Sequence, residues 1–207
     1  KNREENCIFK VKNLSELIYS GNYKARRGVK FYVPKASMTL RTKTLLFIED
    51  AIVYQAIANK VAESNYTVLN DQQSFVFGSV LNKEVTKGVA LLDEEEPNYF
   101  FFKFWKNLFQ KFKESIIHSI EVDKVKYKFE TDITGFFDCI PHYNLLAKLS
   151  ERFGVEDEIL DLLSDCFNVW SGTKDSMTPG VGIPQGPLPS FLFANLILHN
   201  HYLLAWQ

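Results

Sequence analysis

The amino-acid sequence predicts an α+β fold, rich in helix with one small antiparallel sheet, and three observations carry that expectation. Apolar residues recur at helical spacing over roughly 47–62 and 99–120. From Lys124 to Asp132 the period switches to two, the signature of a strand. A Gly- and Pro-rich stretch from Thr178 to Gly186 then gives way to an apolar run that reads as a helix to about Leu204. With 207 residues, 46% of them hydrophobic, the chain is long enough to bury one or two small cores.

Taken in order, Leu14 to Tyr19 reads as a short helix, and Gly21 and Gly28 bracket a basic segment. Val29 to Val33 is β-prone and Pro34 ends it, giving one arm of a hairpin over about 29–43. Leu45, Ile48, Ile52 and Ala56 supply the apolar stripe of a helix from about Phe47 to Ala62. After a loop with Gly78 and Gly88, a helix over 99–120 carries Phe101, Trp105, Leu108, Phe112 and Ile116, a stripe expected to pack into the core. Val125, Tyr127, Phe129 and Thr131 alternate with Lys126, Lys128, Glu130 and Asp132 in the strand at about 124–133. Pro141 opens a helix with Leu145, Leu146, Leu149 and Phe153 on its stripe, and Gly154 closes it. Ile159, Leu162, Leu163 and Phe167 mark another, and Ser190 is a candidate cap for the last.

Composition narrows the function classes. Net charge is −1, yet Lys24, Arg26, Arg27, Lys30, Lys35, Arg41 and Lys43 fall in one stretch without an acidic residue, while Asp93 to Glu96 is acidic. A balanced total can thus hide a basic face. Cys7, Cys139 and Cys166 lack metal-type spacing, so reduced thiols are expected, with no disulfide framework and no zinc site. No apolar stretch is long enough to span a bilayer, and a cytoplasmic protein with no membrane partner is the expectation. His199 and His201, two apart on a helix, point away from each other and do not suggest a shared ion.

Three constellations carry chemistry. Asp132 falls on the polar side of a strand end, where a carboxylate can reach Mg²⁺, the hard ion that phosphoryl transfer uses; an Asp at a strand end before a turn is nonetheless common, and alone it is more often an ordinary turn carboxylate. Gly182-Ile183-Pro184-Gln185-Gly186-Pro187-Leu188-Pro189-Ser190 combines glycines that permit close backbone approach with a glutamine that both donates and accepts; the plainer alternative is a proline-rich helix entry. Lys35 and Arg41 on the hairpin could grip a triphosphate as point charge and fork, or be merely solvated.

In this order the three resemble the reverse-transcriptase family. Its metal-binding Asp is followed five residues later by an aromatic, here Phe137. Its P-Q-G loop with a following Ser and L-x-A-N helix is matched by Pro184, Gln185, Gly186, Ser190, Leu192, Ala194 and Asn195. The Pro34-Lys35 pair, Arg41 and the Ile48-to-Ala56 helix look like fingers, and the resemblance runs from about Phe31 to the end. The wording of the turn and of the Ile48-to-Ala56 helix is closer to bacterial abortive-infection and phage-defence enzymes than to intron or retroviral ones. Ala51 and Ala36 depart from the pattern, standing where basic residues are more usual.

The resemblance implies a right-hand polymerase with fingers over 1–120 and a partial palm over 121–207. It implies an RNA-directed DNA polymerase acting by two-metal phosphoryl transfer, with antiviral defence as its setting. Asp132 and the Ile133 carbonyl would bind Mg²⁺ or Mn²⁺, Lys35 and Arg41 the triphosphate, Phe137 the deoxyribose, Gln185 and Gly186 the nucleotide. Partners would be an RNA template, a DNA product or primer, and deoxynucleoside triphosphates, with an oligomer compatible. The family's second metal site, an Asp-Asp hairpin, does not occur in the 207 residues, so the palm sheet is expected to be incomplete and the chain alone inactive. Two alternatives stand beside this: template-independent synthesis primed by a protein hydroxyl, and a polymerase-derived scaffold that binds nucleic acid or a phage protein without catalysis.

Overall fold

The structure, a computed structural model, describes residues 2–35, 38–70, 76–82, 101–171 and 179–204. Helix α1 (Asn2–Tyr19) leads to strands β1 (Val29–Pro34) and β2 (Leu40–Leu45), then α2 (Ile48–Ser64) and α3 (Tyr66–Asn70). After them come α4 (Trp105–Glu121), the single turn α5 (Phe136–Cys139), α6 (His142–Phe153), α7 (Asp157–Trp170) and α8 (Leu188–Leu204). The fold is α+β, helix-rich, with one two-stranded antiparallel sheet among the described residues. Asp93 to Glu96, Gly88, Ala36 and Thr178 lie outside the described residues, as do the side chains of Cys7, His199 and His201.

Strands β1 and β2 pair from Val29 opposite Leu45 to Pro34 opposite Leu40. Parity puts Lys30, Tyr32, Thr42 and Thr44 on one face and Phe31, Val33, Arg41 and Lys43 on the other. The core is built by α2, α6, α7 and α8 around Tyr54, which is fully buried. Its ring stacks on Phe193 at 5.6 Å and 5°, meets Phe167 edge-on at 5.8 Å, and lies 5.0 Å from Trp170. Offset-stacked and edge-to-face pairs suit the ring quadrupoles, so these four aromatics hold one arrangement rather than a fluid cluster.

Helix ends follow their punctuation. Pro141 precedes α6, and Gly154 ends it at φ +59°, its N–H donating to the Leu149 and Ser150 carbonyls. A left-handed glycine there satisfies carbonyls that the helix itself leaves open. Asn65 closes α2 and ties it to α6, its Nδ2 donating to the carbonyls of Val61 and Phe153.

Five expectations need correction. The first helix is much longer than 14–19. In α2 the buried side is Asp50, Val53, Tyr54, Ile57, Ala58, Val61 and Ala62, whereas Ile48, Ile52 and Ala56 are exposed. The periodicity was real, but the side facing the core is set by which residues meet the aromatic hub. Helix α4 begins only at Trp105, because the described residues before it pair with 80–82: Lys103 N–H donates to the Val80 carbonyl at 2.8 Å. Its stripe packs only in part: Phe101, ahead of the helix, and Leu108 are buried, Phe112 and Ile116 are half-buried, and Trp105 is 63% exposed.

The fourth correction concerns residues 124–133, which form no strand. A strand exists through its ladder, and no described residue pairs with this stretch. Its alternation consequently sorts nothing: Tyr127 and Phe129 are as exposed as the lysines between them. Fifth, Ser190 lies inside α8 rather than capping it, and its hydroxyl serves the turn described next.

Candidate functional site

The turn over 182–187 is held on three sides. Toward α5, the Gly182 N–H donates to the Ile140 carbonyl at 2.7 Å and the Ile183 N–H to the Phe137 carbonyl at 2.8 Å. Gly182 has φ +92°, and a Cβ there would sit 3.2 Å from the Asp138 carbonyl oxygen, so a side chain would be both strained and crowded. Its own carbonyl accepts from His142 Nε2 and Ser171 Oγ, each at 2.5 Å. Toward the core, Ser190 Oγ donates to the Pro184 carbonyl at 2.5 Å and lies 3.0 Å from the Tyr54 hydroxyl. Toward the hairpin, the Thr44 N–H donates to the Gln185 carbonyl at 2.7 Å.

That last bond makes the turn an extension of the sheet. Thr44 faces Lys30 across the hairpin but sends its N–H outward, so Gln185 occupies the outer edge of β2. Gly186, at φ +134°, would place a Cβ 3.2 Å from the Thr44 oxygen. Gly182 and Gly186 are expected to let the backbone approach a ligand; in the structure what they approach is the chain's own backbone, at Asp138 and Thr44.

The residues singled out by sequence fall in three places. Phe137, Gln185 and Gly186 meet at this corner; Phe137 is half-buried, its ring edge-on to Phe191 at 5.4 Å and 5.9 Å from Phe136. Arg41 and Lys35 are exposed along the hairpin. At roughly 3.3 Å per strand residue, Arg41 stands about 10 Å from Thr44, and Lys35 lies farther out still. Asp132 and Ile133 are exposed on the unpaired stretch, and five residues of chain place Asp132 within at most about 18 Å of Phe137.

Several residues that fasten the hairpin and the helices to their neighbours were not singled out as such. Lys30 is half-buried and its Nζ donates to Thr44 Oγ1 at 2.8 Å; burial pushes its pKa down while the charge on Asp138 pulls it up. Lys43 is likewise lowered by burial, then by Arg41. Beneath the hairpin, buried Asp50 accepts from the Tyr23 hydroxyl at 2.5 Å and from the Arg26 N–H at 3.3 Å. Arg26 also pairs with Glu49 and lies 4.2 Å over the Phe47 ring, so this member of the basic segment is a fastening. Asn195 donates to the Gly78 and Ser79 carbonyls. The available signal was helical spacing: Asp50 and Tyr54 lie one turn apart on α2.

For a divalent ion, the donors on offer are the Asp132 carboxylate and the neighbouring Ile133 carbonyl. Among the described residues no three His, Cys, Asp or Glu side chains gather around an ion. Mg²⁺ can work with one or two carboxylates when water and phosphate fill its remaining positions, so the pair fits as part of a site and not as a complete one. No helix among the described residues is long and apolar enough to cross a membrane. Compared with protein-family models and with curated proteins, the chain matches none.

Proposed function

We propose that this chain is the fingers and part of the palm of a reverse-transcriptase-like, RNA-directed DNA polymerase, and that the corner at Phe137, Gln185 and Gly186 receives a deoxynucleoside triphosphate. One observation carries the reading: Thr44 and Phe137, separated by 93 residues in sequence, are both bonded to the same turn. Phe137 would lie beneath the sugar, Gln185 and Gly186 would meet the nucleotide, and Lys35 and Arg41 would reach in from the hairpin. Asp132 and the Ile133 carbonyl would hold Mg²⁺, whose charge neutralises phosphate oxygens. The wording of the motifs suggests phage defence as the setting.

Equilibrium binding of dATP and ATP in the presence of Mg²⁺ tests this directly. The chain is expected to prefer dATP, and Phe137→Ala to erase the preference by relieving the clash with the 2′-hydroxyl. Equal binding of both nucleotides by the unaltered chain, unchanged in Phe137→Ala, would sink the reading. Primer extension by these 207 residues should not exceed that of Asp132→Ala, because two ions need more carboxylates than Asp132 supplies.

A further inference from the structure

We infer that Lys30 is a phosphate-binding residue, holding an anionic phosphate oxygen between the hairpin and the Gln185–Gly186 turn. This deepens the nucleotide-site reading and rests on it for the corner's identity, but it gives the phosphate contact to a different residue, on the other face of the sheet from Arg41 and Lys35.

Three observations converge on it. Lys30 is directly opposite Thr44, the residue whose N–H is bonded to Gln185, so it sits level with the turn on one face of the sheet, while Lys43 reaches Gly186 from the other, its Cδ 3.7 Å from where a Cβ on that glycine would lie. Parity places its side chain with Thr44 on one face and those of Arg41 and Lys43 on the other. Lys30 is half-buried, and the hydrogen bond its ammonium makes is to a neutral hydroxyl. The charge on Asp138 acts on it, yet the two form no ion pair among the described residues. A partly desolvated cation is normally paired. An ammonium has three donors; Thr44 takes one, which leaves two for an anion. A compact point charge with free donors is the group that binds phosphate.

Phosphate could come from a free triphosphate or from a nucleic-acid backbone, and the test separates these. Binding of inorganic tripolyphosphate, dATP and a single-stranded DNA oligonucleotide is measured for the unaltered chain, Lys30→Met and Lys30→Arg. Losing one charge-assisted contact should weaken tripolyphosphate and dATP binding about tenfold or more, and Lys30→Arg should restore most of it. If backbone phosphate is the source, Lys30→Met instead lowers the slope of log affinity against log salt for the oligonucleotide by about 1. Should Lys30→Met unfold, Lys30→Gln, which can still hydrogen-bond Thr44, is read in its place. Wild-type binding of all three probes by a folded Lys30→Met or Lys30→Gln chain overturns the inference, as does an unaltered chain that binds none of them. A Lys30-dependent phosphate site in a chain whose dATP preference ignores Phe137 would keep this inference and remove the polymerase reading; the opposite pattern would do the reverse.

Discussion

The turn at 182–187 and the stretch at 122–135 carry the two halves of the candidate chemistry, and they are built in opposite ways. Every side of the turn is fastened: to α5 by backbone bonds, to the core through Ser190 and Tyr54, to the hairpin through Thr44. The Asp132 stretch is exposed throughout, and its one described ion pair, Lys128 with Glu130 at 2.8 Å, joins neighbours on the same side of an extended chain. A surface pair of that kind holds little in place. The contrast teaches that the residues of the turn are positioned by the fold itself, whereas the position of the Asp132 carboxylate depends on whatever pairs with its segment.

Tyr54→Ala attacks the fastened half hardest. It empties the centre of the aromatic hub and should destabilise the chain by about 3–5 kcal/mol, read from urea unfolding. Tyr54→Phe keeps the ring and removes the hydroxyl beside Ser190; because Ser190 still donates to Pro184, the loss should be only about 0.5–1.5 kcal/mol. Equal effects of the two would mean that the hydroxyl link, not the packing, holds the turn to α2.

Much of this half was legible in the sequence, and the reasons are local. Pro141 and Gly154 bound α6 because ring closure and a left-handed φ act on single residues. The Val29-to-Pro34 strand announced itself through β-prone residues ending at a proline that cannot extend a ladder inward. What stayed hidden depends on partners distant in sequence. Nothing near Ile48 says that Tyr54 rather than Ile52 turns inward; Phe167, Trp170 and Phe193 decide it. Lys30 reads as one basic residue among seven until register sets it opposite Thr44. Alternation over 124–133 implied a half-buried strand, yet a ladder requires a neighbour that the pattern cannot name.

A pH experiment probes the fastened half more gently. Burial, then the charge on Asp50, pushes the Cys166 thiol up to about 12. In an unfolded chain a thiol ionises near about 8.5, so above that pH the unfolded state binds fewer protons than the native state. The stabilisation is therefore complete below pH of about 8.5 and is lost as pH rises toward 12, by at most about 1.4 kcal/mol per pH unit. Tyr23 and Tyr54, also pushed up by burial, add the same sign from about pH 10, where free phenols ionise. Urea midpoints at pH 7.5, 8.5 and 9.5 should fall across this range, and Cys166→Ala should flatten the fall. An unchanged slope in Cys166→Ala would place the alkaline loss elsewhere.

The smallest effect belongs to the open half and completes the contrast. Phe129 is 98% exposed, and its ring meets none of the described aromatic partners that fix Tyr54. Replacing it by Ser removes apolar surface already in water, so neither the transfer cost nor the cavity cost of a core deletion applies. Stability should change by less than about 0.5 kcal/mol, with the urea midpoint and slope both preserved. A loss of 2 kcal/mol or more would mean that Phe129 is buried in solution against a strand or a second chain. The Asp132 segment would then be positioned as firmly as the turn, and the asymmetry between the two halves of the site would disappear.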